Sequence, residues 1–174
     1  DLVSKGTIYF LSRPRRFGKS LLISTLENYF LGRRELFRGL AIDSLEKEWK
    51  EYPVFHLDFN GVNFTKPGAL ESALLKFIED GEKKYNINPN TPEFGLRFNN
   101  ILETAHEKTG KRCVVLIDEY DKPLLDVMNT GKIAHVTEGN VVTIEDNNRE
   151  ILKGFYSVFK LADRHLQFVL LTGV

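Results

Sequence analysis

Three residues near the start of the chain, Gly18-Lys19-Ser20, and two past its middle, Asp118-Glu119, are of the types that handle phosphate esters. A lysine carries fixed positive charge to phosphate oxygens, and a serine hydroxyl is a hard oxygen that suits Mg²⁺. Glycine before the lysine lets the backbone approach a phosphate with no Cβ in the way. Asp118 is expected to orient Mg²⁺, directly or through water. Glu119 is expected to polarise an attacking water, which hydrolysis needs and binding alone does not. Gly-Lys-Ser arises by accident in roughly one chain in ten of this length, so its surroundings must decide.

A phosphate loop works only where a buried strand leads into it and a helix begins at the Lys-Ser pair. The helix N-terminus then supplies free N–H groups and a positive dipole. The usual pattern is G-x-x-x-x-G-K-[ST], whereas here RPRRFGKS has Arg13 at the first glycine. That position starts the turn out of the strand, and phosphate contact depends mainly on the GKS end. Proline pushes its predecessor toward extended geometry, so Arg13-Pro14 predicts a stiffer exit from the strand. Arg15 and Arg16 either add positive charge near the phosphates or face solvent. The expected nucleotide-binding run is Arg13, Pro14, Arg15, Arg16, Phe17, Gly18, Lys19, Ser20 and Leu21. Ser20 and Asp118 are the expected metal ligands, and Lys19, Glu119 and Thr172 the expected catalytic residues.

The flanking segments have the required kinds and order. Thr7 to Leu11 is short, β-branched and aromatic, and reads as a buried strand. Leu22, Leu26, Tyr29 and Phe30 recur at helical spacing, with Gly32 placed to end that helix. Residues 33 to 50 read as a charged, short helical stretch, and VFHLDF, from Val54 to Phe59, as a second strand. Thr65 is the expected cap of a helix carrying Leu70, Leu74, Phe77 and Ile78. Thr91-Pro92-Glu93 opens another, with Phe94, Phe98, Ile101, Leu102 and Ala105 as its core stripe and Gly110 as its close. Cys113 to Ile117 is a third strand, delivering Asp118 to the carboxyl edge of a sheet, where open α/β folds bind ligands. IAHV and VVTI around TEGN predict a hairpin insert over residues 131–145. Asp146 or Asn147 is the expected cap of a helix with Ile151, Leu152, Phe155, Phe159 and Ala162 on one face.

Gln167 to Thr172 is the fourth core strand. Strands alternating with helices predict an α/β fold of the P-loop NTPase kind, with a mostly parallel sheet flanked by helices. Nucleotidases with a glutamate beside the metal aspartate insert a further strand between the loop strand and the carboxylate strand. Gln167 to Thr172 is the candidate for it. Thr172 would then point between Lys19 and Asp118, where its hydroxyl could sense a γ-phosphate.

The rest of the chain bounds the alternatives. Its 174 residues, 42% hydrophobic and 28% charged, suit one globular domain with an ample core. Lysine plus arginine balance aspartate plus glutamate at 24 each, so no global field draws nucleic acid or an anionic membrane. No apolar run approaches a membrane span, and nothing resembles a signal peptide. The single cysteine, Cys113, cannot form an intrachain disulfide, and a reducing, cytoplasmic setting is the natural reading. His56, His106, His135 and His165 lack metal-ligand spacing. Glu48-Trp49-Lys50 mimics part of a nuclease core but falls in an expected helix. Asp121 and Lys122 are expected to form a local ion pair. Arg149 and Arg164 are candidates for an arginine finger toward a neighbouring subunit. The chain opens on Asp1 and stops after an apolar run at Val174, which predicts a piece of a longer protein.

Five blocks together carry a family likeness: FLSRPRRFGKSLL from Phe10, YPVFHLDF from Tyr52, VVLIDEYDKPLLD from Val114, FYSVFK from Phe155 and LLTGV from Leu170. The chain resembles the bacterial AAA-ATPase-like family over nearly its whole length, and the blocks agree in order and spacing. The resemblance implies an additional-strand, catalytic-glutamate ATPase core of the AAA+ kind over residues 1–174, with ATP and Mg²⁺ as ligands. It also implies that arginine at position 13 is a family habit. Members commonly continue into a PD-(D/E)XK nuclease-like domain, which makes DNA an expected partner through that domain, and an oligomer is compatible with the family. The hairpin over 131–145 is longer than the family's usual linker.

Overall fold

The computed structural model describes residues 7–14 and 18–174. Four strands form one parallel sheet: β1 (Ile8–Ser12), β2 (Val54–Asp58), β3 (Cys113–Asp118) and β6 (Leu166–Gly173), in the order β1-β6-β3-β2. The last strand of the chain therefore lies between the loop strand and the carboxylate strand, as the sequence predicts for Gln167 to Thr172. β1 and β3 both pair with β6 and so never touch each other across the sheet. This is an α/β fold of the P-loop NTPase kind.

Alternation along the strands sends side chains to two different cores. On one face Val114, Leu116, Phe168 and Leu170 pack under helix α1 (Lys19–Phe30) through Ile23 and Phe30. On the other, Val115, Ile117, Val169 and Leu171 pack under α3 (Ala69–Tyr85), α4 (Phe94–Thr109), α6 (Ile144–Tyr156) and α7 (Val158–Leu161). Cover on both faces leaves β3 buried at every position. Phe98 and Phe155 stack at 5.5 Å between α4 and α6, so these aromatics are core, as their helical spacing predicts. Gly95 lets the two helices approach, because a Cβ there would meet the Gly154 carbonyl at 2.7 Å.

Several local expectations are corrected. β1 is an edge strand and is not buried: Ile8 and Phe10 stand exposed, with Phe10 resting edge-on against Tyr120 at 5.9 Å. Apolar residues at an edge need only one covered face, so composition alone could not separate edge from centre. Thr65 does not cap α3. Its N–H and hydroxyl both donate to Asn63 Oδ1, and α3 starts after Gly68, whose φ of +76° turns the chain into the helix. The cap of α6 is Thr143, which accepts from the Asp146 N–H, in place of Asp146 or Asn147. Residues 33 to 50 hold a 3₁₀ turn (Arg34–Phe37) and the short α2 (Ala41–Leu45), but Glu48-Trp49-Lys50 lies beyond both in irregular chain.

The hairpin forms as β4 (Ile133–Thr137) and β5 (Asn140–Thr143), turning at Glu138-Gly139 with φ of +51° and +82°. Two successive positive φ values match the right-handed twist of the strands. Among the described residues no helix is long and apolar enough to cross a membrane.

Candidate active site

Chain direction in a parallel sheet brings every strand's carboxyl end to the same rim, and α1 starts at that rim. Gly18 holds φ +73°, a left-handed conformation that costs glycine little, and Lys19 is the first helical residue. The predicted geometry of a helix opening at Lys-Ser is therefore present. Arg15, Arg16 and Phe17 lie outside the described residues. Arg13 and Pro14 are exposed. The Arg13 N–H donates to the Gly173 carbonyl at 3.2 Å, which extends β1's pairing with β6 by one residue.

Lys19 is buried and makes two contacts. Its Nζ donates to the Arg13 carbonyl at 2.9 Å and lies 3.1 Å from Glu119 Oε1. The residue in place of the first glycine thus serves through its backbone. Ser20 Oγ donates to Asp118 Oδ2 at 2.7 Å, across 98 residues of sequence. Asp118 is 2% exposed, and its other oxygen, Oδ1, accepts from the Thr172 hydroxyl and from the Glu119 N–H at 3.1 Å. These donors compensate the burial of its oxygens, which would otherwise be costly. Thr172 is fully buried, and its hydroxyl proton is directed at Asp118.

Glu119 carries φ +54°, unusual for a residue with a side chain. Its neighbours fix that turn: the Tyr120 N–H donates to the Thr172 carbonyl, and the Lys122 N–H to the Glu119 carbonyl. A Cβ on Gly173 would lie 2.6 Å from Asp121 Oδ1, so only glycine lets β6 pass beneath this turn. The Glu119 carboxylate faces Lys19 from this turn. Together Gly18, Lys19, Ser20, Leu21, Asn60, Glu119 and Lys122 line one cleft of about 540 Å³.

The model matching residues 1–174 is AAA-ATPase_like, described as "Predicted AAA-ATPase". The chain belongs to this AAA-ATPase-like family. The description gives ATPase as the family's class of activity, and nucleotide binding with it. A curated relative from Azotobacter chroococcum mcd 1, described as "Uncharacterized protein in vnfD 5'region", is 38% identical over all 174 residues. The chain spans 32% of that relative's length. No solved structure matches.

The family's usual metal is Mg²⁺, and the oxygens of Ser20 and Asp118 fit it. Mg²⁺ prefers hard oxygen ligands, takes only one or two from protein, and fills the rest with phosphate and water. Among the described residues no group of three or more His, Cys, Asp or Glu could hold a metal without such help.

Other predicted pairs form differently. Lys122 does not pair with Asp121. At the start of the short α5 (Lys122–Leu125), it reaches Asp126, one helical turn on, and donates to the Val62 carbonyl at 2.8 Å. Asp121 instead accepts from the Val174 N–H at 3.0 Å. Arg149 is engaged by Glu145 and Asp146, and Arg164 by Glu103 and His165. His106 and His165, far apart in sequence, meet at 3.0 Å between their Nδ1 atoms. Asn60 was invisible as a site residue because it follows its strand by two positions. Asp58, which ends β2 as Asp118 ends β3, carried a readable signal in VFHLDF.

Proposed function

We propose that this cleft binds ATP with Mg²⁺ and hydrolyses it to ADP and phosphate. The observation that carries the reading is the meeting of Lys19 and Ser20, from one helix N-terminus, with Glu119 and Asp118, from one strand end: Lys19, Ser20 and Glu119 line a single cleft, and Asp118 backs Ser20. The amino end of α1 offers free N–H groups and positive dipole to the phosphates. Lys19 exchanges Glu119 for phosphate oxygens as the nucleotide enters. Glu119, so released, takes a proton from water as that water's oxygen bonds to the γ-phosphorus, and the bond from the γ-phosphorus to the bridging oxygen breaks toward ADP. Ser20 and Asp118 would hold the metal, which would supply positive charge to the phosphate oxygens. Thr172 keeps Asp118 in the rotamer that faces Ser20.

Steady-state hydrolysis and equilibrium binding of ATP test this together. Glu119→Gln should lower turnover by about 10²- to 10⁴-fold, the usual worth of a general base, while ATP still binds. Lys19→Ala should weaken binding itself. Unchanged turnover in Glu119→Gln removes Glu119 from the mechanism.

The ion pair between Lys19 and Glu119 also favours a second reading, a nucleotide-controlled switch with slow turnover that relays its state to a further domain. Tight ATP binding without measurable product release would select it.

A further inference from the structure

Residues at the ends of three adjacent strands form a row on the face of the sheet that α1 covers. Val114 and Leu116 of β3 face α1, so Asp118, at the same parity, does too. Phe168 and Leu170 of β6 set the same parity for Thr172, and Val54 of β2 sets it for Asp58. Asp58 pairs in register with Asp118. His56, one step back on β2, meets Glu27 of α1 at 3.1 Å, so α1 overlies this strand. The mechanism above uses Thr172 and Asp118 and leaves Asp58 without a task.

The chain builds a clamp for that carboxylate. Asn60 donates to Asp58 Oδ1 twice, from its backbone N–H at 2.7 Å and its Nδ2 at 2.8 Å. The same Nδ2 lies 3.5 Å from Asp118 Oδ2, the oxygen that also accepts from Ser20. Asn60 itself lines the cleft. Its segment is pinned at both ends, by the Phe59 N–H on the Asp118 carbonyl and by Lys122 on the Val62 carbonyl. One amide group therefore separates the Asp58 carboxylate from the oxygen expected to hold metal, and Asp58 stays open to solvent.

Mg²⁺ gives up its waters reluctantly, so a site with two protein oxygens keeps several. Carboxylates just outside the ligand set accept hydrogen bonds from such waters and add charge attraction. We infer that Asp58, held by Asn60, is a positioning residue for the metal. It accepts from metal-bound water and sets how much Mg²⁺ the site needs. This rests on the nucleotide reading above and adds a carboxylate that the phosphate-loop pattern does not contain.

The test is equilibrium binding of a fluorescent ATP analogue to the chain, titrated with Mg²⁺ and repeated in EDTA, for wild type, Asp58→Asn and Asp58→Glu. Asp58→Asn should raise the Mg²⁺ needed for half-maximal enhancement of binding about tenfold. Its affinity in EDTA should stay at the wild-type value, and Asp58→Glu should recover most of the Mg²⁺ response. An unchanged Mg²⁺ requirement in Asp58→Asn overturns the inference while leaving the nucleotide reading intact. Equal weakening with and without Mg²⁺ also overturns it, since that marks a merely structural residue. A wild-type chain that binds no analogue under any condition defeats the nucleotide reading, and this inference with it.

Discussion

Asp118 shows how much one side chain depends on its donors. It sits at 2% exposure and is held by Ser20, Thr172 and a backbone N–H. Removing the Thr172 hydroxyl leaves this buried carboxylate's Oδ1 with a single donor. Thr172→Val should therefore cost about 1–3 kcal/mol of stability, whereas Thr172→Ser, which keeps the hydroxyl, should cost much less. Urea denaturation of both variants measures the difference, and equal losses would show that the methyl group matters and the hydrogen bond does not. The Thr172 hydroxyl is bonded to Asp118.

At the scale of elements, the pairing of α3 with α4 is anchored by one ion pair. Arg97 reaches Glu82 through two hydrogen bonds, at 2.8 and 2.7 Å, with side chains 10% and 7% exposed. Breaking a buried pair from one side strands the other charge, so Arg97→Met should destabilise by about 3–5 kcal/mol. The double variant Arg97→Met with Glu82→Leu removes both charges and should regain much of that loss. Thermal melts of the two single variants and the double variant check this, and a double variant no better than Arg97→Met would contradict it. The sequence shows both helices through their apolar stripes, but the ion pair between them was not legible. Periodicity reports which face of a helix is buried and is silent about which neighbour buries it.

For the whole molecule, the burial of His165 makes stability depend on pH. Arg164 Nε donates to His165 Nε2 at 2.9 Å, so that nitrogen accepts and Nδ1 carries the proton toward His106. Burial, then the Arg164 charge, holds His165 below its usual 6.5, with His106 pushing the same way against Glu103 and Glu107. The folded state thus favours neutral His165, and the unfolded chain binds the extra proton first. Its contribution is fully present above 6.5 and is lost as pH falls through the lowered folded value. Urea midpoints from pH 7.5 down to pH 5 should decline for wild type, and the part due to this group should vanish in His165→Asn. An identical decline in the variant would assign the slope elsewhere.

Residue order alone singled out the proposed phosphate-handling set, Gly18-Lys19-Ser20 and Asp118-Glu119, and determined the alternation of strands and helices that identifies the fold. Both are local signals: a loop that meets phosphate needs particular residues at fixed offsets, and a strand or helix repeats at its own period. Tertiary structure decided what local signals cannot carry. Parallel register set Asp58 beside Asp118, and the insertion of β6 put Thr172 against the same carboxylate. It also placed β1 at an edge, brought His106 to His165, and turned Arg13 from a defect in a motif into a carbonyl that holds Lys19. Apart from the Arg13–Lys19 bond, which spans six residues, these arrangements join residues distant along the chain. Which such contacts form depends on how whole elements pack, and no short stretch of sequence contains that information.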